Sequence, residues 1–337
     1  MPFSSLIGNE RIKKLLQRAV AEGRIGQSLV MAGPRGVGKH QFAIALAQAL
    51  NCERPVNGDA CGECLQCRKI AAREHADVRT ILRESQDPNV KKDYKSQFIK
   101  IDQMREMSEQ AQFRPYEGLR RVYIIDEAEW LREEAANAIL KTLEEPPATT
   151  LIILITSKPY ALLETIRSRC LMLSFAPLTA DELEAYLKAN YKRPAEETRM
   201  LARLARGSIG RALEIDLGEY REKRARMIEI IESLALRRDT LKLMEAAEYL
   251  GKKLEKSEFE NHLDALLALL ADLFHLKLGE SADRITNADA AARLEKIREA
   301  MTLEQIIDLV GRIEEILQGL ARNVNRQLAM ESALVTA

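Results

Sequence analysis

Aromatic side chains are scarce in this sequence: they make up 5% of 337 residues, with a single tryptophan. The core must therefore be aliphatic, which suits a helix-rich protein. Net charge is also lacking, because 51 basic and 51 acidic residues cancel. The chain as a whole then carries no nucleic-acid footprint, and only local basic patches stay open. No apolar stretch approaches the ~18 residues of a membrane span. Met1 to Glu10 lacks the basic region and following apolar run of a secretory signal. These absences predict a cytoplasmic protein with no membrane partner. Cysteine is sparse too, at five residues. In a reducing compartment, any cluster of them favours a metal over disulfides. There is no internal repeat and no low-complexity segment.

What is present divides along the chain. The length predicts two or three domains. Ile7 to Glu22 has helical spacing at Ile12, Leu15, Leu16 and Ala19. Ser28 to Ala32 is a short apolar run, hence a buried strand, and a glycine-rich turn and a helix over Gln41 to Leu50 follow it. Glu84 to Gln97 is polar, contains Pro88 and reads as a mobile loop. Asp102 to Gln112 is predicted helical with Asp102 near its N-cap. Arg121 to Asp126 is a strand ending in acid, and Glu133 to Glu145 a helix stopped by Pro146-Pro147. Leu151 to Ile155 and Leu171 to Phe175 complete the strands. Apolar strands between helices predict an α/β core with a parallel sheet covered on both faces. Beyond Pro177 the strand pattern ends. Leu178 to Leu217 reads as short helices, and Arg221 to Ala337 as helix almost throughout.

Three constellations carry chemistry. Gly33-Pro34-Arg35-Gly36-Val37-Gly38-Lys39-His40 fits a phosphate loop between a strand and a helix. Gly33, Gly36 and Gly38 let backbone N–H groups curl around phosphates, and Lys39 would reach the β- and γ-phosphates. The last position, where a Ser or Thr hydroxyl holds Mg²⁺, is His40. Mg²⁺ prefers oxygen ligands, so imidazole weakens the site. The bland alternative is a vestigial loop that binds nothing. Ile124-Ile125-Asp126-Glu127 resembles a Walker B element, with Asp126 as magnesium ligand and Glu127 polarising water. Its null is a solvated loop start. Cys52, Cys61, Cys64 and Cys67 form C-x₈-C-x₂-C-x₂-C, whose spacing suits a closed structural Zn²⁺ site, with His75 as second choice of ligand. The null there is four unrelated thiols. On composition alone, Arg169 is a surface arginine and Cys170 a small buried residue.

Taken together, these residues resemble bacterial DNA polymerase III clamp-loader subunits over the full length. The likeness rests on the phosphate loop, the four-cysteine insertion and the segment Ala135-Ala136-Asn137-Ala138-Ile139-Leu140-Lys141-Thr142-Leu143-Glu144-Glu145-Pro146-Pro147. It rests also on Ser168-Arg169-Cys170 and on Asn323-Val324-Asn325-Arg326-Gln327-Leu328. The resemblance implies an AAA+ core over residues 1–177 with a zinc module at 52–67, a helical lid over 178–218 and an oligomerising helical collar over 219–337. It implies a hetero-pentamer with γ/τ and δ subunits that loads the sliding clamp onto primed DNA using ATP. By match, Arg169 would be an arginine finger acting in trans on a neighbour's ATP, and Thr156 or Ser157 would hold the sensor-1 position.

Three departures favour the δ′ branch over the hydrolysing γ/τ branch. His40 replaces threonine, Gly210 stands where the sensor-2 arginine belongs with Arg211 one residue late, and the chain ends soon after the collar. The expectation is a subunit with weak or absent ATP turnover. The alternatives are a short γ/τ ATPase, a zinc-dependent nucleic-acid-binding module and a self-sufficient AAA+ remodeller. The nucleic-acid module lacks aromatics between Cys52 and Cys67. The remodeller would need an intact magnesium ligand and an aromatic gripping loop.

Overall fold

Five short strands rich in Ile, Leu and Val fix the architecture. In the computed structural model they are β1 (Ser28–Ala32), β2 (Val78–Ile81), β3 (Arg121–Ile125), β4 (Thr150–Thr156) and β5 (Leu171–Ser174). They form one parallel sheet in the order β2-β3-β4-β1-β5. The structure describes residues 1–83, 86, 96–237, 239–281, 285–320 and 324–335. Most of the expected loop at Glu84 to Gln97 therefore lies outside the described residues, as does Asn323.

Strand side chains alternate between two cores. Leu29, Met31, Val122, Ile124, Leu151 and Ile153 join one cluster, and Val30, Tyr123, Ile125, Ile152 and Leu154 the other. The first face is covered by α1 (Glu10–Ala21), α2 (Lys39–Asn51) and α3 (Leu65–Ala71), through residues such as Leu16, Phe42, Leu46 and Ile70. The second is covered by α4 (Ile101–Ala111), α5 (Glu133–Glu144) and α6 (Glu164–Arg167), through Met104, Met107, Ile139, Leu143 and Ile166. All seven residues of β4 are buried, as a central parallel strand requires.

The predicted strands and helices are present within three residues at their ends, but three elements were not expected. β2 is a four-residue edge strand of mixed polarity, too short to show a pattern. Helices α3 and α6 span seven and four residues, and α3 is folded around cysteines. Asp102 stands near the start of α4, as expected: the N-cap is Lys100, whose backbone N–H donates to Gln103 Oε1 at 2.9 Å. Asp102 lies two residues further in, within the first turn, where its charge favours the helix N-terminus.

The described residues group into two compact units. The first, Met1–Ala189 with Arg206–Leu213, holds the sheet, most of α7 (Ala180–Asn190) and most of α9 (Ile209–Glu214). The second, Asn190–Ala205 with Glu214–Ala337, holds α8 (Ala195–Leu204) and the helices α10 (Leu217–Glu232), α11 (Thr240–Glu248), α12 (Lys256–Lys277), α13 (Ala291–Ala300), α14 (Leu303–Gly319) and α15 (Arg326–Val335). Its core is aliphatic, built from Met227, Ile231, Leu263, Leu266, Leu270, Leu273, Ile306, Ile313 and Met330 among others. Of the apolar stripe along α12, Leu263 and Leu270 are fully buried, and Leu267 and Phe274 pack against the same core. That stripe therefore serves the unit's own interior.

Candidate functional site

The phosphate loop leaves the end of β1, where Gly33 N–H donates to Thr156 O of β4 and Phe175 N–H to Ala32 O. Gly36 and Gly38 hold left-handed φ angles of 72° and 93°, which swing the backbone round into the N-terminus of α2. Lys39 is 6% exposed, and its Nζ donates to Gly33 O and Pro34 O, each at 2.7 Å. Burial lowers its pKa, opposed by the nearby charges of Asp126 and Glu129. α9 approaches the loop closely: Gly210 N–H donates to Gly36 O at 3.1 Å. A Cβ at position 210 would lie 3.2 Å from Gly36 Cα, so glycine there permits the contact.

Gly36, Gly38, Lys39, His40, Asp126, Glu127 and Ser157 share one pocket of about 230 Å³. Its acidic groups are already engaged. His40 Nδ1 lies 3.1 Å from Asp126 Oδ2, off the line of a hydrogen bond, and His40 Nε2 is buried without a partner among the described residues. Glu127 stands just past β3 in a left-handed conformation, φ 50°, uncommon for a residue with a side chain. Its carboxylate is clasped between Arg35, from the phosphate loop, and Arg83, whose Nη2 is 2.5 Å from Oε2. Arg83 also stacks over Trp130 at 4.9 Å. Glu129 accepts from Ser157 Oγ at 2.7 Å. Burial pushes its pKa up, but hydrogen bonds from Ser157 and Thr156 outweigh that and hold it low.

Arg35, Arg83 and Glu129 were not among the expected site residues. Arg35 was quoted only as a variable position of the loop. Arg83 and Glu129 reach the pocket through chain turns that no linear spacing reveals. The donor set does not suit Mg²⁺: an imidazole replaces the hydroxyl oxygen and stands against the carboxylate that would hold the ion.

The four expected cysteines converge. Their Sγ atoms all lie within 4.8 Å of one another, close to the ~3.8 Å spacing that tetrahedral Zn–S bonds impose. Cys52, Cys64 and Cys67 are buried, and Cys61 is half-buried. The backbone turns around the sulfurs and donates to them. Cys61 N–H points at Cys52 Sγ (3.2 Å), Cys64 N–H at Cys61 Sγ (3.3 Å) and Cys67 N–H at Cys64 Sγ (3.5 Å). Gly62, with φ 78°, turns the chain between Cys61 and Cys64. Donation from Glu63 and Cys64 lowers the Cys61 thiol to about 6, whereas burial raises Cys67. Thiolates gathered this way fit a closed metal site. His75 lies apart from the group and uses Nδ1 to accept the Asp77 N–H at 3.0 Å.

Arg169 follows α6 at the surface and is exposed. Its Nη1 donates to Thr165 O at 3.0 Å, and Nε lies 3.4 Å from Glu144 Oε2. The fold thus brings together the Leu-Glu-Glu-Pro-Pro and Ser-Arg-Cys segments, which the sequence separates by two dozen residues. Cys170 is half-buried against the α4–α6 face of the sheet, where burial pushes its thiol up to about 12.

A parallel sheet wrapped by helices, with a phosphate loop after one strand and paired acids after another, defines an AAA+-type core. Residues 8–179 match the family described as DNA polymerase III, delta subunit, and residues 221–337 match its C-terminal family. The chain belongs to this clamp-loader family, in its δ′ branch. It is 28% identical to the DNA polymerase III subunit delta′ of Bacillus subtilis, covering 95% of this chain and 93% of that one. To the delta′ subunit of Pseudomonas aeruginosa it is 34% identical, covering 61% and 60%. To the tau subunit of Escherichia coli it is 34% identical over 63% of this chain but only 32% of that protein. The chain therefore spans about a third to a half of the length of its tau relatives. Among solved structures, a gamma subunit-related protein of Thermotoga maritima is similar at 21% identity and a TM-score of 0.43, covering 96% of this chain and 97% of that one.

Proposed function

We propose that this chain acts within a DNA polymerase III clamp loader, helping to place a sliding clamp on primed DNA beside γ/τ and δ subunits. It turns over little ATP itself and supplies Arg169 in trans to a neighbouring ATPase. The observation that carries this reading is the contrast between its two ends of the chemistry. In the chain's own pocket His40 stands 3.1 Å from Asp126 without a hydrogen bond, where a magnesium-binding hydroxyl is expected, and Glu127 is paired with Arg35 and Arg83. Arg169, by contrast, is exposed and held by the Thr165 carbonyl, the neighbouring Ser168 Oγ at 3.4 Å and Glu144, whose side chain is itself 60% exposed. Such surface ion pairs are worth ~0–1 kcal/mol, so a neighbour's γ-phosphate would readily displace Glu144. Arginine's planar fork suits that phosphate better than lysine's point charge. The four cysteines hold a structural Zn²⁺ that closes the loop between α2 and α3.

The reconstituted complex tests this. Arg169→Ala should leave assembly and metal content unchanged but lower clamp- and DNA-stimulated ATP turnover by roughly 10³-fold or more at the adjacent site. Arg169→Lys should rescue only part of it. Wild-type turnover in a fully assembled Arg169→Ala complex would remove the finger from the mechanism.

A further inference from the structure

The cysteine cluster has neighbours that its spacing does not explain. Between Cys52 and Cys61 the chain makes a tight hairpin. Val56 and Asp59 exchange both backbone hydrogen bonds there, at 3.0 and 2.9 Å, across Asn57 and Gly58, which are both left-handed. The hairpin lies against α1, so a Cβ on Gly58 would collide with Gln17 O. It delivers the Asp59 carboxylate to the segment before α1. Oδ1 accepts from Phe3 N–H at 2.7 Å and Oδ2 from Ser4 N–H at 2.9 Å. Both belong to the 3₁₀ turn Phe3–Ser5, whose N-cap, Pro2, offers no acceptor side chain. Asp59 caps the turn in its place. Pro2 itself sits beside Gly62, where a Cβ would lie 3.5 Å from Pro2 Cδ.

What the capped turn holds is Phe3. Its ring is fully buried, with its centroid 6.2 Å from that of Phe42 on α2, and Phe42 meets Phe175 edge-on at 5.0 Å. Phe175 follows β5 and donates its N–H to Ala32 O at 2.7 Å. The next N–H, of Ala176, donates to Asn9 Oδ1 at 2.8 Å, and Asn9 Nδ2 donates back to Ala176 O at 3.1 Å. Residues 2–9 thus run as a strap from the cysteine loop to the exit of β5. We infer that this strap is a latch set by the metal site: the loop tied by its four thiolates keeps Asp59 in place, Asp59 seats Phe3, and Phe3 steadies the exit of β5. A loop this long holds a carboxylate in one position only if its backbone freedom has been removed, and sulfurs tied at one point remove it. The strap has two states, seated and released, and the metal site and the aromatic trio both bias the choice. Because β5 begins two residues after Arg169, the latch also backs the strand that leads from that side chain. The inference rests on the reading of the cysteines as a zinc site and goes beyond it.

Hydrogen exchange of the full chain, followed by mass spectrometry before and after a chelator removes zinc, tests it. Zinc removal should speed exchange about fivefold or more in peptides covering residues 3–6 and 175–178, with α12 unchanged as an internal reference. Asp59→Ala should do the same while one zinc per chain remains, because Asp59 is not a ligand. Phe3→Ala should weaken zinc binding about fivefold in competition with a chelator of known affinity, the reciprocal effect. Exchange at residues 3–6 that zinc removal leaves unmoved would overturn the inference. So would release of 3–6 with 175–178 still protected, equal loss of protection in α12, or zinc affinity unaltered by Phe3→Ala. A chain that purifies without zinc refutes the metal reading and the latch with it. A zinc-loaded chain whose strap ignores the metal refutes the latch alone.

Discussion

Asp77 shows what one side chain does for the sheet. It is fully buried before β2 and accepts backbone N–H groups from Tyr116, Glu117 and Gly118 at 2.8–2.9 Å, with Arg121 Nη2 at 3.1 Å. Burial alone would raise its pKa, but these donors outweigh burial and hold it below the usual carboxylate value. A carboxyl depressed in the folded state contributes stability above its unfolded pKa of ~3.9 and loses it as pH falls towards the folded value. Asp77→Asn should therefore cost about 3 kcal/mol at pH 7. Denaturant titrations at several pH values should show the gap to the parent narrowing below about pH 4. An equal gap at pH 3 and pH 7 would mean that the cost is steric rather than ionic. Nothing in the local sequence marks Asp77, because its partners lie some forty residues away. The acid at the end of β3 was legible by contrast, since a strand-end Asp-Glu pair after a phosphate loop is a linear pattern.

The same division holds for whole elements. The cysteine cluster announced itself through its spacing, and the four sulfurs do meet. Cys64→Ser should remove stoichiometric zinc from the purified protein and destabilise the packing of α2 against α3, since Cys67 and Ile70 are buried there. Metal analysis under reducing conditions checks this, and a variant that keeps one zinc per chain would reject the ligand set. The C-terminal Asn-Arg-Gln-Leu segment was recognisable by resemblance, but its local work was not. Arg326 Nη1 donates to Leu254 O at 2.8 Å, and Gln327 backbone packs on Gly251. Gly251 lies in the π-helical turn Tyr249–Lys253, where a Cβ would come 2.5 Å from Gln327 Cα. Gly251→Ala should lower the stability of the helical unit by about 1–3 kcal/mol, measured by chemical unfolding. A neutral result would show that α15 can slide to make room. An isolated glycine in a helical stretch carries no such information until the partner helix is seen.

At the scale of the molecule, the helical unit carries enough buried aliphatic surface to form a core of its own. We expect removal of residues 221–337 to abolish co-purification with γ/τ and δ partners while leaving the zinc content and the far-ultraviolet signature of the sheet unit in place. Retained assembly would move the interface to the sheet unit. The sequence by itself determined the parallel sheet, its covering helices, the phosphate loop, the cysteine cluster and the helical C-terminal half. Each of these rests on a periodicity or a spacing along the chain, which local backbone geometry converts directly into structure. Only the tertiary structure decided the state of the pocket. Arg83 on Glu127, His40 on Asp126, Ser157 on Glu129 and Gly210 on Gly36 each join residues 28 to 174 positions apart. Such pairings depend on how strands order themselves in the sheet and on where the turns between them point. No local rule encodes that, because it is settled only when the whole core packs.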